Sequence, residues 1–192
     1  MVLEELKRHI MCNKMNGFQI DSLINNLPET KHLFFGCFKN DTIPFELQLK
    51  RNGFFIVNTT VKISTMGHWI LFHIKDGVLY FFDSFGQSLD VYGLDIESFY
   101  TSYTGDKIKV FNLPLQDDMS YVCGAYAIYF AYMMCKNHSI YYIKSRFNKS
   151  KKRNDALVTK FILYKTKIEI KCNLKYCSGY MFHTKCRKFC SC

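Results

Sequence analysis

Apolar residues recur at helical spacing twice near the start of the chain, over about residues 2–11 and again from Phe18 in FQIDSLINNL, a stretch that Pro28 closes. The pattern then changes. LFFGCF (33–38) is short and continuously apolar, and the NDTIP that follows is a turn signal containing Pro44, so an extended segment is expected. GFFIVNTT (53–60) and HWILFHI (68–74) predict strands. KDG (75–77) is a tight-turn signature and VLYFFDSFG (78–86) is apolar again, so residues 68–86 predict an antiparallel hairpin. Neither strand of this hairpin is polar enough to leave one face in water, and helices or loops are expected to cover the sheet.

LDVYGLDIESFYTSY (89–103) predicts a helix in its second half, and KIKVFNLPL (107–115) a strand stopped by Pro114. Ser120 is placed to cap a helix running through YVCGAYAIYFAYMMCKN, with Cys123 in its first turn. Residues 124–135 are almost wholly apolar or aromatic, the mark of a helix buried in the core. The charged stretch KSRFNKSKKRND (144–155) interrupts the pattern, and ALVTKFILYKTKIEIK (156–171) reads equally as helix or strand. These elements predict an α+β fold with a central, mainly antiparallel sheet flanked by helices. The body is expected over residues 1–143, with a basic, cysteine-rich segment over 144–192 packed on it or appended to it.

Composition narrows the class. The chain has 192 residues, enough for one sizeable core, and 48% hydrophobic content with 3 prolines excludes a mainly disordered chain. No run approaches the roughly 20 apolar residues that cross a bilayer, and the start lacks the basic segment and apolar run of a secretory signal, so neither a membrane partner nor secretion is expected. The net charge of +10 is unevenly placed. Residues 1–143 hold 12 Lys/Arg against 14 Asp/Glu, whereas residues 144–192 hold 14 against 2. A near-neutral body with a basic end points to an acidic partner, DNA first, on the 144–192 segment.

Candidate chemistry gathers at His68 in GHW, Asp83 in YFFDSFG and Cys123 in SYVCGAY. A cysteine nucleophile needs an imidazole to take its proton, and the imidazole needs an acceptor to fix its tautomer. The predicted hairpin puts His68 at the start of one strand and Asp83 at the end of its partner, ends that are adjacent in an antiparallel pair. Cys123, at the mouth of a buried helix, gains thiolate stability from the first-turn amides. Each residue alone has a plainer reading: a hydrogen-bonded histidine, an Asx-turn, a small apolar thiol. Gln116, seven residues before Cys123, changes the balance, because its side-chain amide and the Cys123 N–H supply the two donors a tetrahedral oxyanion needs.

With these residues in place the chain resembles the adenovirus-type (adenain-like) cysteine proteases, including those of Maverick/Polinton-like elements. FIVNTTVKISTMGHWILF matches the family's pattern around its histidine, YFFDSFG the segment with the acidic residue, and Gln116-x6-Cys123-Gly the paired Gln and Cys, over roughly residues 16–135. LFFGCFKNDTIP resembles the substrate-side segment. The resemblance implies a papain-like/adenain-like fold with the nucleophile at the N-terminus of a buried helix. It also implies roles: His68 as general base and acid, Asp83 as its orienting carboxylate, Cys123 as nucleophile, Gln116 as oxyanion donor, and Trp69 as packing beside the imidazole. Precursor polypeptides cut near Gly during particle maturation are the implied substrates, in the virion or host nucleus. No cofactor is implied for the chemistry, whereas DNA or a peptide is implied as activator.

Asp83 departs from the Glu of the adenovirus enzymes and agrees with the SUMO-deconjugating proteases, so a deconjugase of ubiquitin-like modifiers is the alternative enzyme. A nucleic-acid-binding structural protein on a degenerate protease body is the alternative outside enzymology. No cysteine lies between Cys37 and Cys123 to capture an activating peptide by disulfide. The end of the chain groups Cys172, Cys177, His183, Cys186, Cys190 and Cys192, whose spacing is open between a structural zinc site, disulfides and a loose tail. No Gly-rich phosphate loop and no His-Glu zinc-hydrolase motif occurs.

Overall fold

A computed structural model of the chain describes residues 14–59, 67–103 and 108–166. The expected helix over residues 2–11 lies outside them, as does the cysteine-rich end. Helix α1 (Gly17–Asn25) starts in a capping box: Asn16 Oδ1 accepts from the Gln19 amide at 2.9 Å, and Gln19 Oε1 accepts from the Asn16 amide at 2.9 Å. Its buried face carries Ile20, Leu23 and Ile24.

Among the described residues five strands form one sheet in the order β1 (Phe34–Lys39), β2 (Gly53–Asn58), β3 (Trp69–Lys75), β4 (Val78–Asp83) and β5 (Ile108–Asn112). The three central strands are antiparallel, while β1–β2 and β4–β5 pair in parallel at the two edges. The parallel edges follow from the connections. A parallel neighbour requires a crossover, supplied between β1 and β2 by two short 3-10 turns (Asn40–Thr42 and Phe45–Leu49), and α2 (Leu94–Ser102) lies between β4 and β5 in the chain. The β3–β4 turn is two residues long, with Asp76 at φ 52° and Gly77 at φ 74°, the left-handed pair that matches strand twist.

Side chains alternate between the sheet's two faces, and both faces are dry. Phe54, Ile56, Trp69, Leu71 and Phe82 join the cluster that contains α1 and α3 (Cys123–Cys135). Phe55, Val57, Ile70, Phe72 and Phe81 join a second cluster with Ile96 and Phe99 of α2. Two buried faces explain why the strands read as continuous apolar runs. Helix α3 is buried along nearly its whole length. After the short α4 (Ile140–Ser145), residues 156–166 of the ambiguous stretch belong to a helix, α5 (Lys151–Thr166), whose Val158, Ile162 and Leu163 enter the same cluster as α3, while 167–171 lie outside the described residues. Interleaved lysines hide that apolar stripe in the sequence. Among the described residues no helix is long and apolar enough to cross a membrane.

Phe130 joins α3 to the sheet. Its ring stacks on Phe82 with centroids 3.5 Å apart and an interplanar angle of 14°, and it also meets Phe111 and Phe147. Phe130→Ala is expected to destabilise the protein by about 3–5 kcal/mol through the cavity it leaves. Urea unfolding should show this as a lower midpoint at unchanged slope.

Candidate active site

One end of the sheet collects the polar groups. His68 directly precedes β3 and Asp83 closes β4, and the antiparallel register, with Leu71 opposite Phe82, brings the two together. His68 Nε2 hydrogen-bonds Asp83 Oδ1. Asp83 has no exposed surface, and its other acceptor positions are filled. Oδ1 also accepts from the Phe85 amide at 3.1 Å, while Oδ2 accepts from the Gln87 amide at 2.7 Å and the Tyr92 hydroxyl at 2.9 Å. Burial raises the carboxyl pKa, but the bond and charge of His68 and the two amides outweigh it, so Asp83 stays below its ordinary value.

The Cys123 thiol lies near enough to His68 for each group to shift the other's pKa. With Nε2 held by Asp83, Nδ1 is the nitrogen left for sulfur. Phe85 and Tyr92 place rings 4.7 and 6.2 Å from the imidazole. Burial works against the imidazolium, yet Asp83 and Cys123 lift the His68 pKa to about 9. Cys123 moves the other way. Burial raises it, but His68, the Trp69 amide and the Lys14 ammonium together bring it below an ordinary thiol. Both shifts run toward an imidazolium–thiolate pair. The Trp69 indole donates to the Met15 carbonyl at 2.7 Å, and the Trp69 amide acts on the Cys123 thiol.

Cys123 is the first residue of α3 and lies 4% exposed. The expected Ser120 cap is not formed: the N-cap is Val122, with no side-chain hydrogen bond. The Ser120 carbonyl is instead turned to Gln116, and the first-turn amides of α3 are left without an intrahelical acceptor. Gly124 lets α1 come close, since a Cβ there would stand 3.1 Å from Ile20 Cδ1.

Gln116 is 1% exposed. Its Oε1 accepts from the Ser84 hydroxyl at 2.7 Å, and its Nε2 donates to the Ser120 carbonyl at 2.9 Å. The Ser84 carbonyl in turn accepts from the Leu115 and Gln116 amides at 2.9 and 3.0 Å. Gly86, at φ 72°, completes this contact, because a Cβ there would meet the Pro114 nitrogen at 2.7 Å. From beneath, α5 holds the same loop. Asn154 Nδ2 donates to the Leu115 carbonyl at 3.2 Å, Asp155 Oδ1 accepts from the Asp117 amide at 3.4 Å, and Lys151 pairs with Asp118 at 2.8 Å.

Sequence reasoning missed Ser84, Tyr92, Asn154 and Asp155. Only Ser84 and Tyr92 carried a local signal, being polar residues just after the candidate acid; the other two are brought in by a helix whose packing the sequence obscures.

A second histidine–cysteine contact lies on the same strand and helix: Cys135 Sγ is 3.9 Å from His73 Nε2. Burial, with the charge of Lys75, lowers His73 to about 4, and burial raises Cys135 to about 12. His73 Nδ1 has no hydrogen-bond partner, so this pair has no orienting carboxylate and both members stay neutral near pH 7. Burial also raises Cys37. Among the described residues no group of three or more His, Cys, Asp or Glu converges as a metal-ligand set, and Cys172, Cys177, His183, Cys186, Cys190 and Cys192 lie outside those residues. No protein-family model matches the chain, and no curated protein is significantly similar to it.

Two predictions follow from these electrostatics. Residue-resolved mass spectrometry of iodoacetamide labelling should find Cys123 reactive at a lower pH than an ordinary thiol while Cys37 and Cys135 stay unlabelled. In His68→Ala, Cys123 labelling should rise only toward the ordinary thiol range near about pH 8.5. The second concerns Asp155. The Tyr126 hydroxyl has one proton and faces two acceptors, Leu115 O at 3.1 Å and Asp155 Oδ1 at 2.9 Å. Burial raises the Asp155 pKa, and a proton on Asp155 would complete this network. A raised folded-state value favours folding below the unfolded carboxyl pKa of about 3.9 and loses that contribution as pH climbs through the folded value. Asp155→Asn should therefore match or exceed the parent in melting temperature, by a margin that grows as pH rises above the unfolded carboxyl value of about 3.9.

Proposed function

We propose that the chain is a thiol endopeptidase of the adenovirus-protease type that cuts virus-encoded or virus-like precursor proteins near small residues. The observation that carries this reading is the Asp83–His68 hydrogen bond, with the Cys123 thiol electrostatically coupled to the imidazole at a helix N-terminus. His68 holds the proton of Cys123, and the thiolate attacks the scissile carbonyl carbon. The carbonyl oxygen becomes an oxyanion received by the Cys123 N–H and the Gln116 Nε2–H. As the C–N bond breaks, His68 gives its proton to the leaving amine, and a thioester remains. Water then attacks the thioester, His68 takes its proton, and the C–S bond breaks to release the acid product and restore the Cys123 thiolate beside the imidazolium. Asp83 stays ionised throughout and keeps the imidazole aimed at sulfur.

The test is cleavage of a diverse peptide library read by mass spectrometry, with and without duplex DNA. Expected are cuts beside Gly that Cys123→Ala abolishes and that Asp83→Asn reduces by about 10²–10⁴-fold, as wrong-tautomer variants do. A DNA-stimulated rate would give Lys149, Lys152 and Arg153 a role as phosphate contacts, and that stimulation should decline with salt. Cuts confined to modifier conjugates ending in Gly-Gly would assign the site to a deconjugase instead. DNA binding without any Cys123-dependent cleavage would leave a structural nucleic-acid-binding protein and overturn the enzymatic reading.

A further inference from the structure

We infer that Ser84 is a positioning residue for the oxyanion donor Gln116 and, through the adjoining peptide, the physical link between that donor and the acid–base pair. The inference rests on the endopeptidase reading above and deepens it. Ser84 is 1% exposed and is the residue after Asp83. It touches Gln116 twice, its hydroxyl donating to Oε1 at 2.7 Å and its carbonyl accepting the Gln116 amide at 3.0 Å.

A primary amide has two ends of nearly equal size, and only hydrogen bonding decides which faces which way. Here each end has one complementary partner. The Ser84 hydroxyl donates and claims the oxygen; the Ser120 carbonyl accepts and claims one hydrogen of Nε2. The second Nε2 hydrogen is left for a ligand. Without the Ser84 hydroxyl, Oε1 becomes a buried acceptor with no donor, and the amide plane is held by one bond in place of two. A donor that must stand about 2.7–3.1 Å from an oxyanion loses most of its effect when its orientation is averaged.

Ser84 also carries position from one half of the site to the other. Asp83 is fixed by the Phe85 and Gln87 amides, so the turn 83–87 moves as one piece. The Leu115 and Gln116 amides hang from the Ser84 carbonyl inside that turn. The imidazole and the oxyanion donor are thereby referenced to the same five-residue turn, although Gln116 lies 32 residues further along the chain.

The experiment is steady-state cleavage of the best peptide from the library assay by the full chain, its Ser84→Ala, Ser84→Thr and Gln116→Ala variants, and the Ser84→Ala/Gln116→Ala double variant. Ser84→Ala should lower kcat by about 10–100-fold, within the range set by loss of an oxyanion donor, with KM changed less than about twofold. Ser84→Thr, which keeps the hydroxyl, should recover most of that loss. In the Gln116→Ala background Ser84→Ala should cost nothing further, because the group it positions is gone. The pH profile of Cys123 alkylation should match the parent's, which separates this role from any effect through Asp83. Should Ser84→Ala fail to fold, Ser84→Cys keeps the shape, weakens the donor and carries the same comparison. Equal kcat in the parent and Ser84→Ala, or an equal loss with and without Gln116, would overturn the proposal and leave the endopeptidase reading standing. Absence of Cys123-dependent turnover in the unmutated chain would overturn both.

Discussion

A carboxylate with no exposed surface has to be held by donors, and Asp83 sets the terms for everything around it. Four groups reach its two oxygens: His68, the Phe85 and Gln87 amides and the Tyr92 hydroxyl. An unpaired carboxylate at that depth would take up a proton or drive the turn apart. Two of the donors are local, and the turn after β4 therefore has a reason to close tightly. The third brings in the 3-10 turn Leu89–Tyr92 over the imidazole. The fourth requires β3 to begin where β4 ends. The hairpin register, the turn and the ring cover of His68 are thus parts of one solution to the burial of a single charge.

The Cys123 side is built on a different principle. Helix α3 is almost entirely apolar and is positioned by packing, with Phe130 against Phe82 and Phe111. Packing alone does not orient a polar loop, and the residues before Cys123 are fixed from both sides. The Ser84 turn holds Leu115 and Gln116 from the sheet side. Asn154, Asp155 and Lys151 hold residues 115, 117 and 118 from α5. The basic stretch that reads as an appendage is therefore, at its first turn, a structural support of the loop that carries Gln116.

What the sequence reveals follows from the range of each interaction. Strands with two buried faces are legible as apolar runs, the hairpin as KDG between them, and the buried helix as residues 124–135. The pairing of His68 with Asp83 is legible because a hairpin is local. The Ser84–Gln116 and Tyr126–Asp155 bonds are not, for they join residues 32 and 29 positions apart whose partners no periodicity names. Ser120 misleads for a related reason. A serine ahead of a helix reads as a cap, yet its carbonyl is committed to Gln116 and the helix starts uncapped at Val122. The parallel edge strands are likewise set by crossovers, and no strand-length pattern announces them.

Two histidine–cysteine pairs on the same strand and helix show what distinguishes a reactive thiol from an inert one. His68 and His73 lie at or in β3, and Cys123 and Cys135 are the first and last residues of α3. At the first pair the helix presents amides that have no intrahelical acceptor, which favour a thiolate; at the second it presents carbonyls, which oppose one. His68 has Asp83 behind it, and its proton affinity rises to about 9. His73 has Phe54 stacked beside it and no acceptor for Nδ1, and it falls to about 4. Proximity of sulfur and imidazole is common to both. The chemistry differs because only one pair has a buried negative charge at its back and the positive end of a helix at its front.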